Sequence, residues 1–125
     1  MSVNYSTAVI NDRLQVVIDA IDAGAGNGIL NVGPTGVVPV ICSLILNKPC
    51  GTISSGILTF SGLPVIAVAG FTDIAAEAEI TDSAGTVIAS GLTVGAGAGF
   101  DITISQTNVT GGDILSLTSA TITGT

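Results

Sequence analysis

Between Thr7 and Ala23 the apolar positions return at helical period. Val9, Ile10, Leu14, Val17, Ile18 and Ile21 form one stripe, and Asn11, Asp12, Gln15, Asp19 and Asp22 take the other face. Ser6 or Thr7 is placed to cap this helix and Gly24 to close it in the left-handed conformation. Asp19 and Asp22 stand at the end where the macrodipole is negative, so packing of the stripe, on a sheet or a neighbouring subunit, has to hold the helix.

After the glycine-rich stretch Gly24 to Gly28 the period shortens and turn residues separate short strands. Ile29 to Val32 is the first. Val38 to Leu46 is apolar with little alternation, the pattern of a strand covered on both faces, with the helix as one cover. Ile57 to Phe60 and Val65 to Ala69 follow, divided by Gly62 and Pro64. Ala75 to Thr81 sets Glu77 and Glu79 against Ala76, Ala78 and Ile80. Asp82-Ser83-Ala84-Gly85 then fits a type I turn that returns the chain through Thr86 to Ser90. Beyond Gly95 to Gly99, Phe100, Ile102 and Ile104 alternate with Asp101, Thr103 and Ser105. In Asp113 to Thr123 the apolar side switches from Leu115 and Leu117 to Ala120 and Ile122, which calls for a bulge near Ser119. About seven short strands behind one amphipathic helix predict a mainly β fold, an antiparallel β-sandwich or jelly-roll-like domain. It is read as a single domain over 1–125, with the helix in 1–24 and the sandwich in 28–125.

Composition narrows the function. Of 125 residues, 2 are Lys or Arg, 9 are Asp or Glu and none is His, for a net charge of −7. The missing histidine removes imidazole bases, Ser-His and Cys-His nucleophiles and His-bearing metal sites. Two cations, Arg13 and Lys48, cannot neutralise a run of phosphates, so nucleic acid is not an expected partner. Charged residues make up 9% against the usual ~25%, while fifteen Thr and eleven Ser supply the water-facing positions. The deficit is local: from Ala23 to Thr72 the sole charge is Lys48. That segment is where contacts with other subunits are expected. Its glycines and prolines break any membrane-spanning helix, and no basic-then-apolar start reads as a signal peptide, so synthesis in the cytoplasm is expected.

The remaining motifs carry little chemistry. Cys42 and Cys50 have neither a CxxC spacing nor a His; Cys42 reads as a small buried hydrophobe and Cys50 as a turn residue after Pro49, with a disulfide as the alternative. Gly24 to Gly28 follows a helix and lacks the Lys of a phosphate loop. Asp73, Glu77, Glu79 and Asp82 are the one acidic cluster. They are candidate calcium ligands, read against the plainer alternative of a solvated strand face. A paired-carboxylate glycosidase would need a cleft lined with aromatics, which this chain lacks. Asn4-Tyr5-Ser6 and Asn108-Val109-Thr110 match the glycosylation sequon. No enzyme, cofactor or metal centre is expected.

Three stretches carry a resemblance. They are Tyr5-Ser6-Thr7-Ala8 leading to Asn11, Arg13 and Leu14; Gly56-Ile57-Leu58-Thr59-Phe60; and Asp101-Ile102-Thr103-Ile104 with Gly111-Gly112-Asp113-Ile114-Leu115-Ser116-Leu117 and Thr121-Ile122-Thr123. In that order they resemble a family of small structural virion proteins of tailed bacteriophages and prophages. The sequence departs from the family in Cys42, Cys50 and its uncharged middle third. The resemblance implies a virion component made in the host cytoplasm. The expected role is a capsid decoration or cement protein that binds the major capsid protein and itself, as a homo-oligomer such as a trimer. A neck or tail adaptor, and a calcium- or carbohydrate-binding β-sandwich module, are the alternatives. Val9, Leu14, Val17 and Ile21 of the stripe, with Gly95, Gly97 and Gly99 of the second glycine loop, are the expected assembly contacts. For the stripe, an intramolecular core is the competing reading.

Overall fold

A computed structural model describes residues 5–37, 40–97 and 99–123. The fold is mainly β with one helix at the front, as the periodicity predicts. Helix α1 (Thr7–Ile21) starts at Ser6, whose Oγ accepts the Val9 N–H at 3.3 Å. It ends at Asp22, and Gly24 takes the left-handed conformation two residues further on. The strands are β1 (Ile29–Gly33), β2 (Cys42–Ile45), β3 (Gly51–Ser54), β4 (Ile57–Phe60), β5 (Val65–Val68), β6 (Asp73–Ile74), β7 (Glu77–Thr81), β8 (Val87–Gly95), β9 (Ile102–Ile104), β10 (Asn108–Val109) and β11 (Ile114–Thr123).

Nine of these strands form one curled sheet in the order β2-β1-β7-β8-β9-β11-β4-β3, with β5 also on β11. The long β11 carries β9 along one edge and, along the other, β5 beside Ile114–Leu117 and β4 beside Thr121–Thr123. The sheet curls until β5 comes back beside β2. There the Gly70 N–H donates to the Ile41 carbonyl at 2.7 Å, and the Cys42 thiol meets the Val68 carbonyl at 3.8 Å. Short strands β6 and β10 pair separately. The sandwich-like architecture therefore holds, with one difference from the expected antiparallel sheet: β8 and β9 pair in parallel, Val94 with Ile102 and Gly95 with Thr103.

Alternation explains most of the core. Ala78 and Ile80 are buried beneath half-exposed Glu77 and Glu79, and Leu115 and Leu117 lie inward on β11. The register of β11 on β9 shifts between Leu117 and Ser119, which moves the buried side to Ala120, where a bulge was expected. Asp82 opens the predicted turn, with the Gly85 N–H donating to its carbonyl at 3.1 Å. In β8, Gly91 takes positive φ where two residues of β8, Ser90 and Gly91, oppose one of β7, Glu79, and the strand runs past Ser90 to Gly95.

Three local readings are corrected. The apolar run ending at Leu46 is not covered on both faces: its described strand, β2, buries Cys42 and Leu44 while Ser43 and Ile45 face out. The helix packs instead on β3, β4 and β8, and among the described residues the outer face of β2 is left open, with Ile45 63% exposed. Val38 itself lies outside the described residues. Phe100 is 45% exposed, because it sits in the bend before β9 and its ring lies against Gly95. The strand β3, which carries no alternation signal, forms a hairpin with β4, and β6 and β10 were likewise not legible in the pattern.

Helix and sheet share one core. Leu14, Ile18 and Ile21 join Leu30, Leu44, Leu58, Ile80, Ile102 and Leu115 in a single hydrophobic cluster. The helix is seated closely at three points. Asn11 Oδ1 accepts the Gly56 N–H at 2.9 Å, Asp22 Oδ2 accepts the Cys50 N–H at 3.3 Å, and Ile21 lies directly against Gly28. Lys48 Nζ donates to the Gly24 carbonyl at 2.8 Å and the Gly26 carbonyl at 3.4 Å, a favourable place for a cation near the C-terminal end of a helix.

Candidate functional site

The four acidic candidates do not converge. Asp73 lies on β6, where Oδ1 accepts the Ile74 N–H at 2.7 Å. Glu77 Oε2 accepts the Gly36 N–H at 3.2 Å, and Glu79 Oε1 accepts the Asn31 amide at 3.4 Å. Asn31 in turn accepts the Ser43 hydroxyl at 2.7 Å, so the outer face of β2, β1 and β7 carries a polar row, Ser43–Asn31–Glu79, set by the strand register. Asp82, five residues beyond Glu77 and thus about 16 Å along an extended chain, gives Oδ1 to the N–H groups of Ala84 and Thr86, both at 2.9 Å. Each carboxylate is engaged separately, Asp73 and Asp82 with local backbone, Glu79 with a strand neighbour and Glu77 with the turn after β1. Among the described residues, no three His, Cys, Asp or Glu side chains come together as a metal site.

The expected assembly contacts divide. Leu14 and Ile21 belong to the core at 4% and 0% exposure, so they face the sheet of their own chain. Val17 is half-buried against the same core, and Val9 is exposed at the start of the helix. From Leu14 to Ile21 the stripe is intramolecular core, the competing reading, with the helix packed on β3, β4 and β8, while Val9 stays outside it. Gly95 is buried within β8 beneath the Phe100 ring and offers no surface to another chain. Gly97 and Gly99 are exposed with open space about them.

Both cysteines are free and buried. Burial raises the Cys42 thiol pKa, and burial reinforced by the negative charge of Asp22 pushes that of Cys50 up to about 12. Neither is a poised nucleophile, which needs a lowered pKa. An open hollow of about 280 Å³ lies along the β6–β10 ribbon between Thr72, Asp73, Ile74, Asn108, Val109 and Thr110. Asn108 of the second sequon is exposed there, while Asn4 of the first lies outside the described residues. Arg13 stands over the Tyr5 ring, 4.8 Å from its centre, which ties together two residues of the N-terminal motif.

What composition alone did not locate is an apolar exterior. Ile45 on β2, Ile66 and Val68 on β5, and Ile114 on β11 are 63%, 67%, 64% and 66% exposed. Val68 is paired directly with Ile114, and Ile66 with Ser116, all on the outer face. The hydrogen bond from Gly70 to Ile41 and the contact of the Cys42 thiol with the Val68 carbonyl hold β5 beside β2, whose outward residues are Ser43 and Ile45 as those of β5 are Ile66 and Val68. Strands β2, β5 and β11 contain no charged residue. Most of the patch comes from the uncharged segment Ala23 to Thr72. The signal in the sequence was the run of apolar residues, and what it lacked was that these strands meet at a seam which, among the described residues, no layer covers.

Among the described residues, no helix is long and apolar enough to cross a membrane. Comparison of the chain with protein-family models, with curated proteins and with solved structures finds no match.

Proposed function

We propose that this protein is a structural component of a tailed-bacteriophage virion, a decoration or cement protein that binds the major capsid protein and works as a homo-oligomer. The observation that carries this reading is the exterior: large aliphatic side chains stand about two-thirds exposed on strands that hold no charge. A contiguous apolar face of this kind marks a surface meant to be covered. The resemblance of the Tyr5–Leu14, Gly56–Phe60 and Asp101–Thr123 stretches to small virion proteins supplies the kind of assembly.

In this role the chain acts by mass action. A protein that binds only the assembled shell stabilises it by an amount that grows with the logarithm of its concentration over its dissociation constant. The acidic balance argues against a DNA-lining position inside the head, since such a lining would need cations.

Quantitative mass spectrometry of particles purified from cells encoding this chain tests the proposal. Hundreds of copies, in a fixed ratio to the major capsid protein, are expected. A few to a dozen copies would move it to the neck or tail, and absence from every particle would end the virion reading.

A further inference from the structure

We propose that the outer face of β2, β5 and the start of β11 is a self-association surface, on which a second copy seats its own Ile45, Ile66, Val68 and Ile114 about a two-fold axis. This deepens the oligomer in the reading above by naming the face that makes it.

Charge decides the occupant. The chain carries −7, so two copies approaching each other repel wherever their acids face. Asp12 and Asp19 are exposed on α1, Asp73 is exposed on β6, Glu77 and Glu79 line the outer face of β7, and Asp82 and Asp101 stand in the flanking turns. The β2–β5–β11 face is an extended apolar surface whose strands carry none of them. Asp113, next to Ile114, is turned into its own loop, where Oδ2 accepts the Thr110 N–H and the Gln106 amide, both at 2.8 Å. An isologous contact requires a surface complementary to itself. Uncharged aliphatic side chains bordered by the hydroxyls of Ser43 and Ser116 meet that requirement without placing like charges opposite each other. A basic partner would find its complement on the acidic faces, whereas a like-charged copy finds it here.

The test is the mass in solution of the full chain and three variants, measured by sedimentation equilibrium, with circular dichroism to confirm folding. Ile66→Glu and Val68→Glu place a carboxylate on the patch; Val16→Glu places one at a helix position that is equally exposed, at 66%. The expected result is a two-fold multiple of 12.2 kDa for the wild type and V16E, and 12.2 kDa for I66E and V68E. A wild type that stays at 12.2 kDa well above micromolar concentration overturns the inference, and so does a dimer that V16E dissolves and I66E leaves intact. A monomer found in hundreds of copies on particles would fail this inference and leave the virion reading standing. A patch-dependent dimer absent from particles would do the reverse.

Discussion

The carboxylate of Asp22 accepts the backbone N–H of Cys50 at 3.3 Å, tying the residue that ends α1 to the residue just before β3. The two are far apart in sequence, and their meeting fixes the helix against the β3–β4 hairpin. It also places the Asp22 charge beside the buried Cys50 thiol, where it adds to the effect of burial in raising the thiol pKa.

Alkaline pH is expected to destabilise the fold through that thiol. Burial, then the charge of Asp22, raises the Cys50 pKa from 9.0 to about 12. Between those values the unfolded chain has lost the thiol proton and the folded chain has kept it. The unfolded state then binds fewer protons and stability falls as pH rises, whereas below pH 9 this group contributes no slope. Cys42, also raised by burial, acts in the same direction. Denaturation midpoints measured from pH 7 to 11 should fall above about pH 9, and Cys50→Ala should flatten that limb. At pH 8 iodoacetamide should label both thiols only after denaturant is added.

Truncating the helix stripe separates core from surface. Leu14→Ala and Ile21→Ala remove fully packed side chains and should each cost ~2–5 kcal/mol in chemical denaturation. Val16→Ala, on the exposed side, should stay within ~0.5 kcal/mol. Equal, small effects at all three would contradict the seating of α1 on the sheet.

Gly28→Ala should be destabilising by ~1–3 kcal/mol, because the added Cβ would collide with Ile21 Cγ2 and stand 3.0 Å from the Thr81 carbonyl, a backbone atom that cannot swing aside. For Gly95→Ala the nearest atoms all belong to the 45% exposed Phe100 side chain and none to backbone. Its cost should be the smaller of the two, and the ranking is read from paired urea melts.

Calcium should leave the melting temperature unchanged, since Asp73, Glu77, Glu79 and Asp82 are spread over β6, the length of β7 and the turn beyond it. Asp82→Ala should still cost ~1 kcal/mol, by stranding the N–H groups of Ala84 and Thr86. A calcium-induced rise in melting temperature abolished by Glu77→Ala would refute this placement.

Local pattern carried far in some elements and failed in others for identifiable reasons. The helix, the Asp82 turn and the bulge after Leu117 were legible because each is specified by neighbours within a few residues. Phe100 followed the alternation of Ile102 and Ile104 yet turned outward, because the bend that delivers the chain into a parallel pairing with β8 ends the strand first. Strand β3 has no period of its own and exists because β4 supplies its ladder.

By itself the sequence determined the mainly β character, the helix and its buried stripe, the charge deficit and the exclusion of histidine chemistry, since these depend on residue type and short spacing alone. Tertiary structure decided which apolar residues stay outside. Ile45, Ile66, Val68 and Ile114 are chemically the same as the residues that fill the core. Their exposure follows from the curl that brings β5 beside β2 and from the seating of α1 on the opposite hairpin, and both are long-range events that no local window contains.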